Sequence, residues 1–586
     1  MADRGRPLRA QLLPEPEGRL LMVGVVLLVA VLVIGGGIAG IVIAVRKSSP
    51  HGESAAQPTV RRVIVFVLLF ALVVIAAIGV SGLLGRLLDA GNALASSDVS
   101  GLARSLAFTL IAGPFAAVLW WVLWRRMDGA ERSSIAWGLY LAGMSTVSLV
   151  TFSTALLTTA AVLVRGDWRP RLFATGVVWA GVWVWHVWMS RDREKSPTRL
   201  VTVAPILGSV FGLVIAVGGA VTAISSLLDA AVDAFAPSLT QGDPWWRLTL
   251  QALIWFAGGL VVWWWHWIRG RARDLRGGLA DLALVAVGVA GAAILTLSGA
   301  GTVLFVLLRL AFDRTDPVTD IVGLLGFGIS AAVIGALVWS YHRGLTLGRS
   351  PPTRLATKLV TSGVGLVSAA TGLGVVVNAI LATTTTPLAG SDARSLLLGG
   401  ISALVVGGPV WWLAWQPTQQ LSPAEVHSTG RRVYLILVFG VSAVVAIVTL
   451  LVIGYRLFEF ALGDFTGDSL VDRVRAPLGL LVATGLVAGY HFAVWRRDRS
   501  VSAAAPQPAR TVGRVILVTD ADPEPLSQAI GAATGGAAVS VLKRADGAGS
   551  AATPEQLTRA LTGVTGKRVL VVTGPGDRVE VIPLRD

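Results

Sequence analysis

Long apolar runs separated by short polar segments make up most of the chain. Each run is roughly 20 residues long and carries few charges, and about 20 apolar residues in a helix cross a hydrocarbon core of about 30 Å. The first run covers residues 20–45, and twelve more follow in six pairs. The pattern therefore predicts an all-α polytopic membrane protein with about thirteen transmembrane helices.

The six pairs share features that indicate an internal repeat of two-helix hairpins. The second helix of each hairpin ends in aromatic residues, which in five of the six are followed by arginines, as in GGLVVWWWHWIRGRARDLR at 258–276. We expect six parallel hairpins, all entering the membrane from the same side, at 61–127, 133–191, 197–272, 275–344, 352–416 and 430–497.

The hairpins are flanked by segments of different composition. A polar N-terminus (1–19) precedes the first helix, and a linker (46–60) follows it. After the last hairpin, a linker rich in Ala and Pro (498–510) leads to residues 511–586, in which strand-like and helix-like patterns alternate. We predict a small C-terminal α/β domain there, with Asp522 and Thr553 starting its helices and GPGD turning its last strand pair.

Composition supports the membrane assignment and limits the chemistry. Hydrophobic residues make up 54% and charged residues only 14%, whereas about a quarter of the residues in soluble proteins are charged. The chain has no cysteine, which excludes disulfides and thiolate metal sites. The formal net charge of +15 fits arginines at cytoplasmic helix ends better than nucleic-acid binding, so no nucleic-acid partner is expected.

The distribution of positive charge predicts the orientation. Segments that join successive hairpins carry more Lys and Arg than the loops inside hairpins, which places the joining segments in the cytoplasm. The aromatic ends and the C-terminal domain are then cytoplasmic, and the N-terminus is outside. Because Ala, Gly, Val and Arg are abundant, as in high-GC bacteria, we expect a bacterial inner membrane.

Four histidines at one repeat position are candidates for chemistry. His186, His266, His342 and His491 each follow Trp or Tyr, and histidine is able to ligate haem or a metal. Aromatic and basic neighbours are also typical of the membrane interface, and we favour this role. The predicted interfacial anchors are Trp121, Trp185, Trp265, Tyr341, Trp412 and Tyr490.

Polar residues inside the predicted helices bear on transport. Coupled transporters usually carry charged residues near the bilayer midplane, and these helices have almost none. Their polar positions are hydroxyls and amides, chiefly 145–159, Gln251 and Asn378, which are typical of hydrogen bonds between helices. A neutral or lipid-like solute would not require midplane charge.

Sequence motifs give no catalytic signature. The stretch TGVTGKR (562–568) resembles part of a phosphate loop, but Leu561 and Arg568 replace the glycine and the Ser or Thr that the motif needs. Asp520 and Asp522 follow the first strand of the C-terminal domain, where α/β domains often bind ligands, but turn and cap roles are favoured. We therefore expect no enzyme activity, no cofactor and no metal.

One family resemblance rests on the sixth hairpin. Its helix RRVYLILVFGVSAVVAIVTLLVIGYRLFEFAL, paired with a helix ending in aromatic, histidine and basic residues, resembles an uncharacterised bacterial family of repeated two-helix membrane domains of unknown function. The resemblance covers roughly 61–497 and implies architecture without an activity.

From these observations we expect a non-enzymatic membrane scaffold, or an interaction or sensing protein. Its partners would be membrane lipids and a cytoplasmic protein bound to the C-terminal domain. The alternatives are a transporter or channel for a neutral or lipid-like solute and, third, a cofactor-binding electron carrier. The sequence does not fix the oligomeric state.

Overall fold

The computed structural model describes residues 53–89, 99–235, 244–312, 316–384, 393–420, 428–463, 469–504, 511–544 and 552–584. The chain divides into two compact units, Met1–Tyr490 and His491–Asp586. The first predicted helix (20–45) lies outside the described residues, as do residues 1–19 and residues 46–52 of the linker that follows the helix.

Twelve helices in the described residues are long and apolar enough to cross a membrane, which confirms a multi-pass membrane protein. Their spans are α1 Val60–Asp89, α2 Val99–Arg125, α3 Ile135–Leu163, α4 Pro170–Arg191, α5 Val203–Ala234, α6 Trp245–Arg269, α7 Gly278–Phe312, α8 Val318–Thr346, α9 Pro351–Ala382, α10 Ala393–Gln419, α11 Thr429–Leu462 and α12 Leu470–Ser500. Helical structure begins before α1, at Glu53, and continues past α12 to Ala504.

Local sequence signals set several helix starts. Helix α3 follows Ser134, whose hydroxyl accepts a hydrogen bond from the Trp137 N–H at 3.2 Å, and Ser428 caps α11 in the same way. Helices α4 and α9 begin with proline, which has no N–H to leave unpaired in the first turn. The turn between α3 and α4 contains Gly166 at φ +84°, a conformation that favours glycine.

Three of these helices contain π-helical segments, and one ends in a 3-10 turn. The π segments are Phe108–Ala112 in α2, Trp265–Arg269 in α6 and Leu284–Gly291 in α7, and the 3-10 turn is Gln416–Gln420 in α10. A π segment inserts one residue into the helical period, so side chains after it move around the helix axis.

The helices form three groups of four: group 1 is α1–α4, group 2 is α5–α8 and group 3 is α9–α12. In groups 1 and 2 the first helix packs against the fourth. In group 3 a Cβ added to Gly479 of α12 would lie next to the carbonyl oxygen of Gly374 in α9, so these two helices also touch. The hairpins therefore associate in pairs.

Apolar side chains also cover the outer surface of the helices. On α11, Leu435 is buried, whereas Leu437 and Leu451 are 60% and 68% exposed. Such side chains on a membrane-spanning helix face lipid, so their exposure is compatible with a stable fold.

The C-terminal unit contains a four-stranded sheet. Its strands are β1 Val512–Thr519, β2 Ala538–Lys543, β3 Gly566–Thr573 and β4 Val579–Leu584, in the order β2-β1-β3-β4. The first three are parallel, and β4 pairs antiparallel with β3. Helices α13 (Pro523–Ala533) and α14 (Pro554–Leu561) connect the parallel strands. The predicted α/β domain is thus confirmed.

Side chains explain how this small unit is held together. Asp522 caps α13, and Thr553 forms a reciprocal capping box with Gln556 at the start of α14, as the sequence predicted. Leu517 and Leu557 are fully buried in one core with the other inward-facing residues of the sheet and its helices.

Candidate functional site: the aromatic and histidine ends of the helices

Each group carries an aromatic cluster at the predicted cytoplasmic ends of its second and fourth helices. Two tryptophans one helical turn apart on the second helix meet an aromatic residue on the fourth helix. The clusters are Trp120, Trp124 and Trp185 in group 1; Trp263, Trp267 and Tyr341 in group 2; and Trp411, Trp415 and Tyr490 in group 3.

Ring geometry is similar in the three clusters. The first tryptophan of each pair meets the aromatic ring of the fourth helix edge-on. The ring centroids are 5.2, 6.2 and 5.8 Å apart in groups 1, 2 and 3. The two tryptophans stack at 5.8 Å in group 1 and at 6.2 Å in group 2. Stacked and edge-on contacts are the preferred arrangements of aromatic rings.

One tryptophan N–H group in each cluster is hydrogen-bonded across helices. Trp267 donates to the Tyr341 hydroxyl at 2.9 Å, and Trp415 donates to the Tyr490 hydroxyl at 2.7 Å. In group 1 the fourth helix carries Trp185 instead of tyrosine, and Trp120 donates to the sulfur of Met189 at 3.1 Å. The clusters thus join the two hairpins of a group.

Five of the six predicted anchors occupy two different environments. Trp185, Tyr341 and Tyr490 belong to the clusters, whereas Trp121 and Trp412 are 49% and 50% exposed. The Trp121 ring also lies 4.1 Å from the Arg125 guanidinium, a cation–π contact typical of an interface.

The sixth predicted anchor, Trp265, lies one residue beyond the position that Trp121 and Trp412 occupy in their groups. Trp264 corresponds to Trp121 and Trp412 and is 47% exposed. Trp265 is one residue further along, half-buried, and contacts Trp183 of α4.

Three of the four candidate histidines are equivalent. His186, His342 and His491 lie on the fourth helix of their groups and are buried. The Nδ1 of His186 lies 2.7 Å from the carbonyl of Val182, and the Nδ1 of His342 lies 2.8 Å from that of Val338. Because a carbonyl only accepts, both Nδ1 atoms are protonated donors.

The surroundings of these histidines are those of packing residues. The Nε2 of His186 lies 3.0 Å from the hydroxyl of Tyr140 on α3, and the ring of His342 packs against Gly288 on α7. Both ring nitrogens of His186 are thus engaged, so this side chain has none left to ligate a metal.

His266 differs because it lies on the second helix of group 2. Its Nδ1 donates to the Val262 carbonyl at 2.9 Å, and its ring packs against Gly208 of α5 and faces Trp183 of group 1. No hydrogen bond or ring contact joins His186, His266 and His342 to one another within the described ranges. In the same residues, no group of three or more His, Asp or Glu side chains is placed to hold a metal ion.

Hydroxyl groups inside α3 bond to their own helix. Thr146, Thr151 and Thr159 each donate to the carbonyl four residues earlier, at 2.7, 2.8 and 2.8 Å. This bond satisfies a hydroxyl in an apolar environment without water. Buried atoms without a partner in the described residues include Ser153 Oγ and Asn378 Oδ1.

Glycines bring helices into backbone contact. A Cβ added to Gly259 of α6 would lie 2.4 Å from the backbone nitrogen of Ala216 on α5. Comparable contacts join Gly299 to Ala332 and Gly365 to Trp411. These approaches need a residue without a side chain, which is the usual means of close packing in membranes.

In the C-terminal unit, the candidate Asp522 has a structural role, whereas the buried Oδ2 of Asp520 has no hydrogen-bond partner in the described residues. Asp522 accepts the Glu524 N–H at 3.2 Å as a helix cap. Next to Asp520, the hydroxyl of Thr573 on β3 donates to that of Thr519 on β1 at 2.7 Å and links the two strand ends. The TGVTGKR stretch leads into β3, not into a helix, so it does not form a phosphate loop.

The tryptophan pairs and Tyr140 were not predicted as part of this site from the sequence. The spacing of four residues between Trp120 and Trp124, Trp263 and Trp267, and Trp411 and Trp415 was visible. It marks one face of a helix, but it does not identify the helix that the face contacts.

Comparison with known proteins gives one result. The sequence profile of a domain of unknown function, DUF5671, matches residues 62–183, 202–337 and 353–486, so that each match covers one group of four helices. No curated protein and no solved structure matches the chain. The family unit therefore contains two of the predicted hairpins.

Proposed function

The chain belongs to the DUF5671 family, a domain of unknown function that it contains in three copies. We propose that the protein is a non-enzymatic membrane scaffold. Its three groups form a fixed platform in a bacterial inner membrane, and its C-terminal α/β domain binds a cytoplasmic protein partner.

The observation that carries this proposal is the close packing at glycines. Gly259, Gly299 and Gly365 each place a helix against the backbone or side chain of its neighbour. Helices in such contact slide or separate only by losing many contacts at once, because packed interfaces are not continuously deformable. The contact of Gly479 with Gly374 also joins two different hairpins. Such contacts favour a platform over alternating access, in which whole repeats move against one another.

The polar groups in the helices support the same proposal. The hydroxyls of Thr146, Thr151 and Thr159 are used within α3, and the amide of Gln251 donates to the Ala161 carbonyl at 2.9 Å. A solute path requires polar groups that are free to contact the solute. These four groups instead donate to backbone carbonyls.

The experiment compares the full chain with a truncation after residue 510 in native membranes, using cross-linking and mass spectrometry. A scaffold gives a cross-linked protein at fixed stoichiometry with the full chain, and the truncation abolishes it while the membrane region still assembles. The proposal is rejected when the cross-linked proteins are the same for both chains.

A second function, movement of a lipid-like solute, has one observation in its favour, the cavity between groups 1 and 2 described below. Reconstituted liposomes distinguish it from the scaffold. Protein-dependent transfer of a labelled lipid or neutral solute across the bilayer supports transport, whereas the scaffold predicts the rate of protein-free liposomes.

A further inference from the structure

A cavity of about 290 Å³ lies between groups 1 and 2, at the predicted cytoplasmic ends of their helices. It is lined by residues of α3 and α4, the start of α5 and the end of α6. The lining residues that matter here are Ser145, Ser190, Arg191, Trp265, His266 and Arg269.

The cavity results from the way α3 and α6 pack. Toward the opposite end of these helices they are in close contact, where Gln251 donates to the Ala161 carbonyl and a Cβ on Gly258 would meet Leu157. Toward the end that carries Arg269, the residues between them line the cavity instead. The cavity therefore adjoins the close contact between α3 and α6.

The charged residues of the cavity are all basic. Arg191 and Arg269 are exposed at the ends of α4 and α6, and neither makes an ion pair or a hydrogen bond within the described ranges. The carboxylate nearest in sequence, Asp192, accepts the backbone N–H groups of Glu194 and Lys195. No Asp or Glu is among the lining residues.

His266 and Ser145 also line the cavity beside the arginines. The Nδ1 of His266 donates to the Val262 carbonyl. The start of α5, with Ala204 and Pro205, also lines the cavity, and a helix N-terminus favours negative charge.

The deeper lining is apolar. Leu141, Leu149 and Val187 line the cavity together with the rings of Trp183 and Trp265. A site with basic groups at the mouth and apolar walls suits a molecule that has an anionic head and an apolar part.

The equivalent positions between groups 2 and 3 have lost these features. Aligned on Trp185 and Tyr341, Arg191 corresponds to Leu347. Aligned on Trp267 and Trp415, Arg269 corresponds to Pro417 and His266 to Ala414. The two arginine positions of the cavity thus carry uncharged residues between groups 2 and 3.

We propose that this cavity binds a phosphate group, with the guanidinium groups of Arg191 and Arg269 holding its oxygens. Guanidinium binds phosphate through paired, charge-assisted hydrogen bonds. Two sources share this chemistry: the headgroup of an anionic phospholipid, and a soluble phosphate ester. The inference does not depend on the proposed scaffold function, because a scaffold and a transporter both accommodate such a site.

The test uses the full chain, purified, stripped of lipid and studied by native mass spectrometry with added phosphatidylglycerol or phosphatidylcholine. The wild type should bind one phosphatidylglycerol more tightly than phosphatidylcholine. Replacing both arginines, Arg191→Gln with Arg269→Gln, should weaken phosphatidylglycerol binding at this site by at least about tenfold, since each charged hydrogen bond contributes on the order of a tenfold change.

Two variants serve as comparisons. Arg343→Gln removes an exposed arginine from the end of α8, outside the cavity, and should bind phosphatidylglycerol like the wild type. Ala204→Phe keeps both arginines and fills the cavity, so it should lose binding as the double variant does. Agreement between the Ala204→Phe and double variants separates the cavity from a general effect of charge.

Glycerol phosphate and inorganic phosphate distinguish the two sources. If they raise the melting temperature of the wild type but not of the double variant, the ligand is a soluble phosphate ester; if only the phospholipid does so, it is a headgroup. The proposal is overturned if wild type, double variant and Arg343→Gln bind phosphatidylglycerol equally, or if the wild type does not prefer it to phosphatidylcholine.

Discussion

Tyr341 and Tyr490 show how a single hydroxyl joins two helices. Each accepts the indole N–H of a tryptophan on the second helix of its group, at 2.9 and 2.7 Å. In an apolar environment an unpaired N–H is costly, so the tyrosine has a role that phenylalanine would not fill. The buried guanidinium of Arg349 has a comparable role outside the helices.

We expect Tyr341→Phe to lower the free energy of unfolding by about 1 kcal/mol, because it leaves the Trp267 N–H without an acceptor. Thermal unfolding in detergent followed by tryptophan fluorescence measures the change. Tyr455→Phe is the control, since Tyr455 is 66% exposed on α11. Equal losses in the two variants would contradict the role assigned to the hydrogen bond.

Arg349 connects two segments that lie between helices. It pairs with Asp281 at 3.1 Å and donates to the carbonyls of Leu275 and Arg273, while Asp281 also accepts from Thr353 at 3.0 Å. The side chain of Arg349 is only 2% exposed. Its pKa is lowered, chiefly by burial and then by the charge of Arg276, so the compensating contact with Asp281 matters.

Arg349→Ala should therefore destabilise the fold by about 3 kcal/mol, since it leaves Asp281 and two carbonyl groups without their partner. The same unfolding measurement applies, and Arg343→Ala, which removes an exposed arginine, should change stability by less than about 0.5 kcal/mol. If Arg349→Ala changed the free energy of unfolding only slightly, the contacts of the guanidinium would be replaced by water, contrary to this role.

Helix starts were predictable from the sequence, whereas contacts between helices were not. Ser134, Asp522 and Thr553 start helices because their side chains accept a backbone N–H of the first helical turn, and this depends only on neighbouring residues. The pairing of hairpins into groups and the cavity at Arg191 depend on which helices meet, and a helical period does not contain that information.

The glycine contacts between packed helices give a further prediction. Gly259→Ala should destabilise the α5–α6 hairpin by about 2 kcal/mol, because the new methyl group would lie 2.4 Å from the Ala216 nitrogen. Gly218→Ala on α5 meets nothing within 4 Å and should be neutral or stabilising, as alanine favours helix. Unfolding measurements that rank the two variants in the opposite order would contradict the packing described here.

The whole molecule combines a threefold membrane repeat with an α/β unit of different chemistry. Thirteen helices were predicted; twelve lie in the described residues, and residues 20–45 lie outside them. The repeat was visible as six hairpins because each hairpin end has the same composition. Its assembly from three family copies follows from the matches and from the contact of first and fourth helices.

The C-terminal unit should fold by itself. We expect residues 511–586, produced alone, to unfold cooperatively in circular dichroism, because strands and helices share a core around Leu517 and Leu557. Leu517→Ala should cost about 3 kcal/mol, which a domain of this size barely tolerates, whereas Leu542→Ala, at a 56% exposed position, should cost little. A fragment without a cooperative transition would show that the unit needs the rest of the chain.

The central claim, a closely packed platform without a path for water or solute, is tested most directly by cysteine accessibility, since the natural chain has no cysteine. Single cysteines at Asp167 and Arg193, which flank α4, should react with a water-soluble maleimide from opposite sides of the membrane. Cysteines at Ser153 and Asn378, whose buried oxygens have no partner in the described residues, should remain unlabelled. Rapid labelling at Ser153 or Asn378 would reveal an aqueous path and contradict the claim.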